Sequence, residues 1–264
     1  MLEKLDFIEI NSRRYFIHIH LSSQSNRKAI LIFNPILDEK KRVQKFEAET
    51  ARELSRLGYA VVRFDYFGTG DSGGDTFEFN FNAINSDSHY LFDYINRILT
   101  PDEIIYFGIR LGADLALINS LSKPNIKRLI LVEPIIDGKR YLLELRMRKK
   151  VFYRLNNLQA VENIFIHGSK FEDFQGYPIS TCHLAYLDNL NLNNFEIKNK
   201  HIAIFKTNSL ANKRLVFRFK EQNDLKDGCC IDINNVDCPE FWSALEFTDT
   251  KKLTQQIISY INRD

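Results

Sequence analysis

The chain has 264 residues, 44% of them hydrophobic, which suits one large α/β domain or a domain carrying an inserted cap. Its net charge of +2 gives no case for bulk electrostatic attraction to nucleic acid or membrane. No apolar run approaches the ~18 residues that span a bilayer. The N-terminal MLEKLDFIEINSRRYF carries no apolar signal-peptide core. Cys182, Cys229, Cys230 and Cys238 form no C-x-x-C pair, so reduced thiols in a cytoplasmic protein are expected.

Residues 5–10 and 13–21 alternate apolar and polar around the turn signal Asn11-Ser12, which predicts an antiparallel hairpin at a sheet edge. AILIF at 29–33 is a run apolar on both faces, a buried strand stopped by Asn34-Pro35. Helical spacing follows at Val43, Phe46, Ala51, Leu54 and Leu57, closed by Gly58. YAVVRFD at 59–65 is a second buried strand, and it runs into a Gly-rich loop through Gly74. Residues 83–98 form an amphipathic helix ended by Thr100-Pro101. Next comes Glu103–Ala116, which reads strand, Gly-framed turn, helix, with Gly108-Ile109-Arg110-Leu111-Gly112 as the turn. A strand at 127–132 stops at Glu133-Pro134. The alternation implies a mostly parallel, doubly wound sheet with right-handed crossovers.

From Asp137 the pattern changes to a basic helical stretch, then an irregular Asn-rich region with one candidate strand, NIFIH at 163–167. Apolar residues recur throughout, so 137–200 is expected to be an ordered cap inserted after the sixth strand, with 1–136 and 201–264 as the core. Strands at 201–207 and 229–233, a helix at 211–221 and a terminal helix at 249–262 complete the chain.

The order of these motifs resembles the α/β-hydrolase superfamily, in particular the exosortase A system-associated hydrolases, a bacterial group linked to exopolysaccharide and surface-protein export. The resemblance rests on the Pro35–Arg42 segment with paired acids Asp38 and Glu39, on RFDYFGTGDSGGD at 63–75, and on FGIRLGADLA at 107–116. It also rests on EPIIDGKRYLLELR at 133–146, Gly176–Ser180 and Pro239-Glu240-Phe241-Trp242. In that superfamily the Gly-framed turn is the nucleophile elbow, G-x-S-x-G. Here Arg110 stands in the serine's place, and a guanidinium has no nucleophilic atom and stays protonated. Arg110 is expected either to grip an anionic group bidentately or to hold the pocket floor through a salt bridge. A buried charge needs a partner, with Asp38 or Glu39 the first choice and Glu133 the next.

An oxyanion hole would draw on the N–H of Leu111 with that of Ile36 or Leu37, although the two acids beside it would repel an oxyanion. Asp65 and Gly68–Ser72 are expected to stabilise strand ends through turns rather than to do chemistry. A triad also needs a histidine after the cap. None follows His201, and Asn234–Trp242, where it should lie, contains no base. Two of three triad roles are therefore empty. The weaker substitutes are Cys182-His183 and Cys238, whose thiolate would need an electropositive niche that Arg110 could supply. His18 and His20 share a strand face but are expected at the surface of the edge hairpin, and no metal or cofactor is expected. The basic run Lys139–Arg154, with Tyr141, Phe152 and Tyr153 interleaved, is expected to be a solvated cap helix, since no nucleic-acid motif accompanies it.

Three functions stay open. One is a non-hydrolytic binding or accessory protein for a small acyl, peptide or saccharide ligand, with Arg110 in its pocket. The second is a hydrolase or acyltransferase with a non-standard nucleophile. The third is an interaction protein that engages a partner through its cap.

Overall fold

The computed structural model describes residues 2–159, 163–209, 213–244, 246 and 248–262. The hairpin is β1 (Leu2–Ile10) and β2 (Arg13–Leu21), turning through Asn11 and Ser12 at φ 51° and 59°. β3 (Lys28–Phe33) leads to α1 (Leu37–Arg56), then β4 (Ala60–Phe64). α2 (Phe81–Leu99) is capped by the Asn80 side chain, which accepts from the N–H groups of Asn82 and Ala83. β5 (Glu103–Ile109), α3 (Leu111–Leu121) and β6 (Arg128–Val132) follow.

The segment after β6 contains α4 (Gly138–Leu155), the antiparallel strands β7 (Ile164–Ile166), β8 (Ser169–Asp173) and β9 (Pro178–Ser180), and α5 (Thr181–Asn189). β10 (His201–Lys206), α6 (Lys213–Asn223), β11 (Cys230–Asn235) and α7 (Lys251–Ile261) return to the core. The main sheet has the order β1-β2-β4-β3-β5-β6-β10-β11, parallel from β4 to β11 and antiparallel at β1-β2 and β2-β4.

Alternation along each strand fills two cores. Leu31, Phe33, Tyr106 and Leu131 face one side with α2, α3 and the segment after β6. Ile30, Ile32, Phe107 and Val132 face the other with α1 and α7. Because both faces are covered, the central strands are apolar at nearly every position, which is why they stand out in the sequence. This is an α/β-hydrolase fold.

Three expectations need correction. α1 begins at Leu37, not Val43, so Asp38 and Glu39 lie in a helical first turn, where the helix dipole favours acids. The irregular region after α4 holds β8, β9 and α5 besides the strand expected at 163–167, because only alternate positions such as Phe171 and Ile179 are buried and their pattern is short. His20 is not a surface residue: β2 is paired on both sides, by β1 and β4, leaving His20 0% exposed and His18 only partly exposed. The start of the helix expected at 211–221 falls on residues 211 and 212, outside the described residues.

The crossing of β3 and α3 requires a glycine. A Cβ on Gly112 would stand 2.2 Å from the Phe33 carbonyl oxygen and 2.4 Å from that of Asn34, both backbone atoms that cannot yield. Gly112→Ala is therefore expected to cost on the order of 2 kcal/mol, lowering Tm by roughly 4–8 °C in a thermal melt. An unchanged Tm would show that the two elements can part freely.

Candidate functional site

The site is built where β5 turns into α3. Arg110 adopts φ 55°, ψ −128°, a strained conformation for a residue with a Cβ. It is held there by its N–H donating to the Val132 carbonyl at 2.9 Å and its carbonyl accepting from the Ala113 N–H at 2.9 Å. Gly108 allows the tight return, because a Cβ there would lie 2.3 Å from the Ala113 Cα.

The Arg110 guanidinium is 1% exposed. Its Nε donates to Glu39 at 3.3 and 3.4 Å, and its Nη2 to Glu39 Oε1 at 3.3 Å and to Glu144 Oε1 at 3.0 Å. Glu39 comes from α1 and is fully buried; Glu144 comes from α4. Arg148, one turn beyond Glu144, donates from Nη2 to Glu39 at 2.7 Å, and the Tyr141 hydroxyl donates to the same carboxylate at 3.3 Å. The rings of Trp242 and Tyr141 lie 4.7 and 5.5 Å from the Arg110 guanidinium carbon, distances suited to cation–π attraction. Burial alone would favour a neutral guanidine, but the Glu39 and Glu144 carboxylates outweigh it and hold Arg110 charged. Arg110 Nη1 makes no hydrogen bond among the described residues, and Arg110 lines a 380 Å³ cavity with Arg140, Glu144, Arg148, Glu240 and Trp242.

The other expected site residues lie elsewhere. Asp38 pairs with Arg42 at 3.2 Å and with Arg148 at 3.7 Å. Glu133 does not face Arg110. Its carboxylate accepts from Lys206 Nζ at 2.6 Å and from the Thr207 N–H and hydroxyl at 2.6 and 3.0 Å. Leu111 is fully buried at the start of α3. Ile36 and Leu37, the latter at φ 58°, line a separate 530 Å³ cleft with Lys40, Asp65 and Tyr177, and Arg110 does not line that cleft. Asp65 accepts from the Asp71 N–H at 2.8 Å and pairs with Lys40, while the Ser72 hydroxyl bridges β2 and β4 by accepting from Phe16 N–H and donating to the Asp65 carbonyl. These contacts tie the loop to β2 and to the end of β4, and Gly68–Asp71 also line the 530 Å³ cleft.

The cysteine alternatives weaken. Cys238 is buried, and burial pushes its thiol up to about 11, so Arg110 supplies it no thiolate-stabilising charge. Cys182 and His183 do approach, at 3.9 Å, because both gather around the Ser180 hydroxyl that caps α5. Ser180–His183 and Ser122–His89 contacts exist, but none of these residues lines the Arg110 cavity.

Glu144, Arg148 and Tyr141 were not legible as site residues. Their stretch reads as a solvated basic helix, yet Tyr141 is buried, Arg148 is largely so, and Arg146 and Lys149 turn to Glu172. The available signal was Glu144 and Arg148 spaced i,i+4 in a helix that also carries Tyr141. Asp114, on α3 behind the elbow, was also missed. Burial pushes its carboxyl up to about 8, and only Oδ2 has a partner, the Ile135 N–H at 3.1 Å. Among the described residues, Glu3, His18 and His20 form a separate cluster able to hold a metal ion.

Fold and site together define an α/β-hydrolase scaffold whose elbow carries a buried, ion-paired arginine. The chain belongs to the family described as Hydrolase_4, serine aminopeptidase S33, whose model matches residues 24–175. Over 63 residues it is 40% identical to the lysophosphatidylserine lipase ABHD12 of Danio rerio, a stretch that is 24% of this chain and 16% of that protein's length. Among solved structures it is similar to the alpha/beta hydrolase GrgF from Penicillium sp. sh18 (TM-score 0.68, 15% identity, 100% of this chain and 99% of that one). It is also similar to Est1E from Butyrivibrio proteoclasticus with ferulic acid bound (TM-score 0.64, 14% identity, 98% of each chain). At these identities the likeness shows the fold.

Two predictions follow from the site's charges. Arg110→Met strips Glu39 of one of its two cations and is expected to cost about 3 kcal/mol in chemical denaturation. Arg110→Met with Glu39→Leu should recover most of that loss; a double variant no better than the single would mean the pair is not coupled. Asp114 binds its proton in the folded state up to about pH 8 but releases it near 4 when unfolded, and burial likewise raises Glu47 to about 7. Both groups therefore stabilise the fold at low pH, and that stability is lost as pH rises through their folded values. Denaturation midpoints should fall between pH 5 and pH 8, and Asp114→Asn should flatten the slope.

Proposed function

We propose that this chain is a non-hydrolytic binding or accessory protein of the exosortase-associated hydrolase type, working in the cytoplasm. Its ligand carries an anionic group on a small acyl, peptide or saccharide body. The observation that carries this reading is Arg110 itself. The position that would hold the nucleophile holds a guanidinium gripped by Glu39 and Glu144, and the loop from Asn234 to Trp242 contains no base. Such a centre can neither attack an acyl carbon nor accept a proton at neutral pH. It can present positive charge: Arg110, Arg140 and Arg148 line the 380 Å³ cavity, where an anion would compete with Glu144 for Arg110. The cap residues Tyr141 and Glu144 and the late-loop Trp242 close over this cavity, so a ligand would touch core and cap together.

The purified chain is expected to show no covalent labelling by a fluorophosphonate probe and no turnover of p-nitrophenyl esters. Arg110→Ser alone should stay inactive, because the base is missing too. Turnover that survives purification controls and disappears in a pocket variant would overturn the reading. Trp242 is the chain's single tryptophan, so its emission reports this cavity. Titration with small carboxylates or inorganic phosphate should change that emission saturably, and Arg140→Ala should weaken the response several-fold.

A further inference from the structure

We propose that Glu3, His18 and His20 form a binding site for a divalent transition-metal ion, with zinc the best-fitting occupant, on the β1–β2 face remote from the elbow. The strand register builds it. Glu3 stands directly opposite His20 across the antiparallel pair, and His18 lies two residues along the same face. One ligand atom from each residue falls within 4.8 Å of the others. Glu3 Oε2 is 2.9 Å from His18 Nε2, and Glu3 Oε1 is 3.7 Å from His20 Nδ1. The two contacts are made by different carboxylate oxygens, so a rotation of Glu3 would bring one oxygen towards the ~3.3 Å that separates donors on a tetrahedral zinc at ~2.0–2.1 Å.

The second, independent observation is His20. It is completely buried, yet neither ring nitrogen has a hydrogen-bond partner. Such an orphaned polar ring needs a physical reason, and a metal ion would give Nδ1 a partner. The two imidazoles stack at 4.1 Å between centroids, 26° from parallel, so both rings lie within reach of Glu3.

The neighbouring cations do not forbid the site. Arg52, from α1, donates to Glu3 Oε1 at 2.8 Å and so anchors the carboxylate while Oε2 stays directed at His18. Arg63, opposite His18 on β4, lies 3.5 Å from the buried Glu47 side chain rather than in contact with the cluster's carboxylate. Two imidazoles with one carboxylate suit zinc better than magnesium or calcium, and three protein ligands leave a fourth position for water. His18 also lines the 530 Å³ cleft, which gives the ion a path from solvent.

The test uses the full chain after treatment with a chelator. Calorimetric titration with Zn2+ should give one ion per chain. His18→Ala and Glu3→Gln should each weaken binding at least tenfold, and the rise in Tm with Zn2+ should vanish in both. Co2+ should give a visible absorption band in the intact protein and none in His18→Ala. The titrations are run in a Cys182→Ser background, so that the exposed thiol beside His183 cannot supply the signal. Zn2+ binding that is unaltered in His18→Ala and Glu3→Gln, or no saturable binding at all, would overturn the proposal. Because His20→Ala opens a buried space and could unfold the chain, the partly exposed His18 decides the matter, with circular dichroism confirming that each variant is folded.

Discussion

The structure depends on one constraint: a guanidinium taken out of water must be matched by carboxylates and polarisable surface. Arg110 sits at the most tightly specified turn in the chain, between two glycines that no larger residue could replace, and it cannot withdraw to solvent. Its neighbours are arranged around that fact. α1 starts early enough to put Glu39 under it, α4 lays Glu144 and Arg148 across it, and Trp242 covers its face. The result is a compact network of alternating charges in which Glu39 is shared between two arginines and a tyrosine. A network of this kind is costly to half-dismantle and specifies one arrangement of the elements that contribute to it.

The scaffold was legible in the sequence because its signals are local and redundant. Strands buried on both faces leave apolar runs such as AILIF, and glycines and prolines punctuate them. The elbow was legible because Gly108 and Gly112 frame it, and the absence of a base after the last strand needed only a census of histidines. The boundary of α1 was less legible: Pro35 and the two acids look like a loop until the N-terminal turn is seen to favour acidic residues.

The site's wiring was not legible for a different reason. Glu39 and Glu133 are both glutamates that follow buried strands, and only three-dimensional placement sends one to Arg110 and the other to Lys206. Glu144 and Arg148 lie in a run rich in charge, where any single residue looks solvated. His18 and His20 show the same limit from the other side: period two puts them on one face, but only the sheet order reveals that β2 is an inner strand. Pairing partners far apart in sequence are set by topology, and a one-dimensional pattern carries no register between them.

The tie between Arg110 and Glu144 joins a core residue to the segment inserted after β6, and the Arg148–Glu39 contact repeats that tie one helical turn later. α4 is thus latched to the floor beneath it by opposed charges rather than resting there on apolar contact alone. Lifting it would strand two arginines and a buried carboxylate at once. The segment after β6 is therefore tied down like a keystone instead of hung like a hinged lid, since parting it from the sheet would break these ion pairs together.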